Sequence, residues 1–214
     1  MPESGSINPD ERVQWVYSST TNDELAERYD QWAREYDDDL ENTFVWLAPR
    51  RGAETLAEHV ARDAKILDAG AGTGLVGVEL QRLGYGDICA MDLSEGMLDE
   101  ARSKGCYNDF RQMALGDHLD FDSDAYDAVI SIGVFTPGHA PPNSFVELCR
   151  VTRPGGHIVF SMRPDTHVEL GFKDQQDALV ASGAWSLVGV TEPFQPLPKG
   201  EPEVMHQIWV YRVN

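Results

Sequence analysis

The sequence is poor in cysteine, in positive charge and in long apolar runs. Its three cysteines (Cys89, Cys106 and Cys149) are odd in number and far apart. They give neither a disulfide framework nor a zinc-ligand spacing, and no other His, Cys, Asp or Glu spacing calls for a metal. Only four of its 17 basic residues are lysines, against 36 acidic residues, for a net charge of −19. A surface that acidic repels phosphate backbones, which argues against a nucleic-acid substrate. No run approaches the roughly 20 apolar residues needed to span a bilayer. The opening "MPESGSINPDERVQW" has no basic start and no apolar stretch, so it does not read as a secretory signal. These absences predict a cytoplasmic protein without a membrane segment. There is no internal repeat and no low-complexity tract.

What is present fits one compact domain. The chain has 214 residues, 42% of them apolar, enough for a real core. The first 20 residues are polar and read as loose. In "TNDELAERYDQWAREYDDDLE", Leu25, Tyr29, Trp32 and Tyr36 fall on one helical face, with Asn22 or Asp23 as the expected cap. A second helix is predicted from Pro49 to about Arg62. Strands and helices then alternate. Strands are predicted over 64–70, 86–92, 109–115, 125–135 and 157–163, and helices over 74–84, 94–105, 141–156 and 173–183. Strands over 184–191 and 203–213 close the chain as an antiparallel pair at the sheet edge. Such alternation predicts an α/β fold: a doubly wound, mostly parallel sheet covered by helices on both faces. Residues 1–62 are expected to form a helical cap, and residues 63–214 the sheet domain.

The chemistry concentrates in "KILDAGAGTGLVGVEL", Lys65–Leu80. A strand ends in an acid, Asp68, and glycines follow at 70, 72 and 74. Such a turn lets a ligand lie against bare backbone at the carboxyl end of a parallel strand. A dinucleotide loop would read Gly-x-Gly-x-x-Gly; here the spacing differs, and the acid would repel a pyrophosphate. It would accept an ammonium or a sulfonium. The second strand ends in Asp92, 20 residues beyond Gly72, where an acid accepts ribose hydroxyls. A cationic nucleoside without phosphate, such as S-adenosylmethionine, meets both demands.

The successive segments "ILDAGAGTG", "AMDLSEGMLDEAR", "AYDAVISIGVF" and "ELCRVTRPGGHIVFS" resemble the motifs of class I S-adenosylmethionine-dependent methyltransferases. The segments "YDQWAREYDDDL", "APR" and "GVFTPGHAPP" resemble the Williams–Beuren syndrome critical region type and its bacterial relatives. The resemblance implies a Rossmann-like seven-stranded sheet with an antiparallel edge strand and an N-terminal helical lid. It implies that Gly70, Ala71, Gly72 and Gly74 carry the methionine part, that Asp68 faces its amine, and that Asp92 binds the ribose. Leu93 and Met97 would flank the adenine. Family members often place an acid at the position of Leu115; here the backbone of Leu115 and Gly116, or Asp117, would hold the adenine. Ile132 and Gly133 would lie beside the transferable methyl. Tyr29 and Tyr36 would cover the cofactor, although aromatics at that spacing serve a core equally well. Arg50 would reach the cofactor carboxylate.

His139, above the crevice, is the candidate general base for an O, N or S nucleophile, against a role in fixing its loop only. Phe135, His139, Met162 and Arg163 are the candidate acceptor-lining residues. His167 also falls on the substrate side, whereas His59, His118, His157 and His206 read as structural or exposed. The expected activity is methyl transfer to a small molecule by a monomer or homodimer. A non-catalytic cofactor-binding subunit, a methyltransferase acting on protein, and a nicotinamide or nucleotide-sugar enzyme are the competing readings.

Overall fold

The computed structural model describes residues 8–214. The seven strands form one sheet in the order β3-β2-β1-β4-β5-β7-β6. In chain order these are β1 (Lys65–Ala69), β2 (Asp87–Asp92), β3 (Asp109–Gln112), β4 (Tyr126–Phe135), β5 (Thr152–Met162), β6 (Trp185–Val190) and β7 (Gln207–Val213). All neighbours from β3 to β5 are parallel, and β7 runs antiparallel to both β5 and β6. The order reverses at β1, between β2 and β4. In an open parallel sheet a crevice opens at that point, outside the carboxyl ends of the strands.

The central strands are mostly apolar, and the pleat sends their successive side chains to opposite faces, both of which are covered. Leu67, Val129 and Phe160 pack with Phe145, Trp185 and Tyr211 on one face. Ile66, Ile130 and Val159 pack with Leu56, Leu80 and Val210 on the other. The covering helices are α3 (Ala48–Ala57), α4 (Leu75–Arg82), α5 (Glu95–Lys104), α6 (Ser144–Val151) and α8 (Phe172–Ala181), after a short α7 (Thr166–Glu169).

Several local expectations are corrected. Residues 9–17 are not loose: they form helix α1 (Pro9–Tyr17), whose Asn8 cap accepts from the Glu11 amide at 3.0 Å. The part of that expectation on residues 1–7 lies outside the described residues. Helix α2 (Asn22–Asp37) is capped by Thr21, which accepts from the Glu24 amide at 3.2 Å, and not by Asn22 or Asp23. Helix α3 stops at Ala57, short of Arg62, because the chain must turn into β1; the Ala64 amide donates to the Ala61 carbonyl in that turn. Helix α6 stops at Val151, and Pro154-Gly155-Gly156 lies within β5. There the Thr152 hydroxyl donates to the Leu148 carbonyl at 2.7 Å as the backbone turns extended.

After α2 the chain makes a π-helical turn, Asp38–Phe44, closed by a bond from the Trp46 amide to the Leu40 carbonyl at 2.8 Å. Val45 then takes a left-handed backbone at φ 59°, a conformation a β-branched residue adopts only under constraint. Buried Val16, Leu25, Trp32, Leu40 and Phe44 form a separate cluster with Leu197 from the β6–β7 segment. Asp39 ties this cap together. Its carboxylate, itself buried, accepts from Arg12 at 2.6 Å and from the Trp32 indole at 2.8 Å.

Removing one partner of a buried ion pair costs about 3 kcal/mol or more. Asp39→Ala is therefore expected to lower stability by about 3 kcal/mol in urea unfolding. Hydrogen-exchange protection should fall in residues 11–46 before it falls in the sheet. Unchanged cap protection would contradict the role given to Asp39.

Candidate active site

A cleft enclosing about 860 Å³ of non-atom space, part of it open to solvent, lies over the ends of β1, β2 and β4. Its floor is the turn Gly70–Thr73. Gly72 has φ +55°, and a Cβ built on it would meet nothing within 4 Å, so the turn presents open backbone to the cleft. Asp92 fixes this floor: its carboxylate accepts from the Gly72 amide at 2.7 Å and the Ser94 amide at 2.9 Å. Burial raises its pKa, and the amide bonds oppose the rise.

Asp68 lies behind the turn, fully buried at the end of β1. One carboxylate oxygen accepts from the Tyr107 hydroxyl at 2.6 Å, and the other, also buried, has no partner. Burial pushes its pKa up to about 7, the Tyr107 bond pulling it down and nearby Asp92 adding to the rise. A buried polar atom without a partner is costly. Two carboxylates around bare glycine suit a ligand that brings a cation and sugar hydroxyls, and they disfavour a phosphate. S-adenosylmethionine fits that donor set: Asp92 would hold its ribose, and Asp68 behind the turn would favour its ammonium.

The roof comes from α2 and the segment after the π-turn. Asp30 of α2 accepts from the Ser94 hydroxyl at 2.5 Å and the Gly96 amide at 2.8 Å. Asp37 accepts from the Thr73 hydroxyl at 2.5 Å and pairs with Lys104 at 2.6 Å. The helix is thus pinned across the floor at both ends. Tyr29, Tyr36 and Trp46 line the cleft from above.

His139 also lines it, and its Nε2 is 2.7 Å from the Tyr29 hydroxyl. Its Nδ1 is 3.0 Å from the Thr136 hydroxyl, which can donate or accept, and 3.1 Å from the Pro137 carbonyl, which can only accept. The carbonyl favours the neutral tautomer with its proton on Nδ1, which leaves Nε2 to accept from Tyr29. Burial lowers the His139 pKa, with the Pro137 bond opposing.

The structure brings together Tyr29, Tyr36, Gly70, Ala71, Gly72, Asp92, Leu93, Met97, Leu115, Ile132, Gly133 and His139. Other expected residues stand elsewhere. Arg50 is exposed and paired with Glu54 at 2.9 Å. Phe135 and Met162 are fully buried in the sheet core, because the pleat turns them away from the cleft. Arg163 pairs with Asp165 at 2.7 Å outside the cleft wall. Gly74 caps α4 against Tyr107 and Ala101, and Gly116 packs on Pro141. Asp117 is exposed and does not reach the cleft, whose Leu115 side is lined by Met113, Ala114 and Ala140. His167 faces away, bonded to Gln176 at 2.9 Å and packed on Trp209. Trp46, Asn22 and Thr73 line the cleft without having been foreseen. Trp46 had no signal in the sequence, since it is placed by the π-turn and the strained Val45.

The profile of a family described as "Methyltransferase domain" matches residues 67–160. Methyltransferase-like protein 27 of Homo sapiens is 32% identical over 194 residues, covering 86% of this chain and 78% of that protein. A demethylmenaquinone methyltransferase of Clavibacter sepedonicus is 35% identical over 164 residues, covering 71% of this chain and 66% of that protein. In fold, the chain resembles a TehB-like methyltransferase of Corynebacterium glutamicum, with a TM-score of 0.63, 19% identity, and coverage of 88% of this chain and 99% of that one.

The raised pKa of Asp68 has a consequence for stability. Between about pH 4 and 7 the unfolded chain gives up this proton while the native one keeps it, so stability falls with rising pH and levels off above 7. Asp68→Asn is therefore expected to gain thermal stability relative to the wild type from pH 4 to 7 and to keep that gain at pH 8. A difference independent of pH would contradict the buried acid.

Proposed function

The chain belongs to the S-adenosylmethionine-dependent methyltransferases, and from that premise we propose that it methylates a small, largely apolar acceptor bearing an ionisable O–H, N–H or S–H group. The observation that carries this reading is the Tyr29–His139 hydrogen bond at 2.7 Å in an aromatic cleft wall. The demethylmenaquinone methyltransferase relative supports a small acceptor, and the net charge of −19 speaks against a nucleic acid.

S-adenosylmethionine, when bound, supplies a methyl on a cationic sulfur that leaves as a neutral thioether. The protein need not activate that leaving group; it must hold nucleophile and methyl in line, which alone lowers the barrier by several kcal/mol. Gly70, Ala71, Gly72 and Asp92 would hold the amino-acid and ribose parts. Leu93, Met97 and Leu115 would enclose the adenine, and Ile132 and Gly133 would border the methyl. Tyr36 and Trp46 would exclude water and favour a cation near their ring faces. As the acceptor attacks, its proton passes to the Tyr29 oxygen, and the Tyr29 proton passes to His139 Nε2. The resulting imidazolium is held by the Pro137 carbonyl through Nδ1–H. Helices α1 and α2 with the π-turn act as the cap that closes this site.

Methyl-labelled cofactor incubated with protein and a small-molecule metabolite extract should yield label in a low-mass product. Label in protein, or binding without turnover, would overturn the small-acceptor reading. With that acceptor, His139→Ala should lower kcat by about 10²–10⁴-fold and leave affinity for S-adenosylhomocysteine unchanged. Because burial lowers the His139 pKa, the wild-type kcat at saturating cofactor should fall only below pH 6.5. An unaltered kcat in the variant would remove His139 from the mechanism.

A further inference from the structure

Tyr107 lies between α5 and β3, on the side of the glycine turn away from the acceptor. Its hydroxyl donates to Asp68 at 2.6 Å and accepts from the Gly77 amide, on the first turns of α4, at 3.0 Å. Both bonds together fix the hydroxyl's orientation. The close approach depends on glycine: a Cβ on Gly77 would stand 2.3 Å from the Tyr107 Cζ. The ring itself lies against Phe110 at 5.7 Å between centroids. A half-buried tyrosine thus sets its hydroxyl beneath the cofactor turn at the cost of a side chain on α4, and only one oxygen of Asp68 is engaged by it. The other is buried without a partner.

We infer that Tyr107 is a positioning residue for the cofactor: it clamps one oxygen of Asp68, which lies behind the cleft lining, so that the other is held for the cofactor's ammonium through one ordered water. This rests on the cofactor assignment made above and adds to it a residue that touches neither cofactor nor acceptor. The clamp has an electrostatic effect as well as a geometric one. Donation from Tyr107 favours the charged carboxylate, against the burial that disfavours it. The titratable groups facing Asp68 are Tyr107, Asp92 at the end of β2, and Cys106 beside Tyr107. Lys104, the nearby cation, is engaged by Asp37 and the Thr73 carbonyl. Tyr107 therefore stands as the neighbour that promotes Asp68 ionisation before a ligand arrives.

Calorimetric titration at pH 6 to 9 tests this with two probes. S-adenosylhomocysteine carries the ammonium; 5′-methylthioadenosine is the same adenosyl thioether without the amino acid. In the wild type, affinity for the first should fall as pH drops through about 7, and affinity for the second should be flat. Tyr107→Phe keeps the ring but loses the donor, so the fall should move to higher pH. For an upward shift of about one pKa unit the loss at pH 7 should be about fivefold, with recovery at pH 9 and no change for methylthioadenosine. Asp68→Asn should show a flat, weakened profile for S-adenosylhomocysteine. Equal affinities in wild type and Tyr107→Phe at every pH, or an equal loss for both probes at every pH, would overturn the positioning role and leave the cofactor reading standing. A wild type that binds neither probe would overturn both.

Discussion

The site depends on a bond from one backbone amide to one carboxylate. The Gly72 N–H donates to Asp92 across the gap between β1 and β2, at 2.7 Å, and a charge-assisted bond of that kind is about twice as strong as a neutral one. It holds the bare turn against the second strand and keeps an acid at the crevice. Asp68 stands buried behind the same turn with its pKa raised to about 7, so the crevice has one acid in its wall and a second beneath its floor. That arrangement selects a ligand by charge: it favours an ammonium and a sulfonium, and it rejects the pyrophosphate that related sheets bind at the same place. Burial gives the selection its strength, and it also raises both carboxylate pKa values. The protein keeps a carboxylate oxygen without a partner where a purely structural turn would satisfy it.

The second constraint is the cap. Its apolar cluster around Trp32, Phe44 and Leu197 gives α1, α2 and the π-turn a small core separate from the sheet. Polar contacts from Asp30 and Asp37 then latch that unit onto Ser94, Gly96, Thr73 and Lys104. Such an arrangement joins the floor to a roof that has an apolar cluster of its own. The irregular backbone at Asp38–Val45 swings Trp46 over the floor, and it also ends the regular helix, so the aromatic wall results from two departures from regular structure.

The sheet was legible because its strands are apolar runs separated by glycine and acid at the crevice end. Gly70, Gly72 and Asp92 announced themselves by spacing, since the chemistry there needs backbone and charge and not tertiary context. What was misread depended on context. Phe135 follows the cleft residue Val134 and Met162 ends β5, but both side chains pack into the core. Arg50 found a nearer carboxylate on its own helix. Helix α1 is only nine residues long, too short for its apolar period to stand out, and its Arg12 is held by Asp39 from a distant segment. Tyr107 shows no motif, because its significance comes from the absent side chain of Gly77 and from a carboxylate 39 residues upstream.

A crystal structure of the protein with S-adenosylhomocysteine tests the central claim most directly. The account predicts ribose hydroxyls on the Asp92 carboxylate, the adenosyl thioether lying across Gly72, and the amino group turned toward Asp68. Ligand density placed elsewhere, or a ribose held without Asp92, would contradict it.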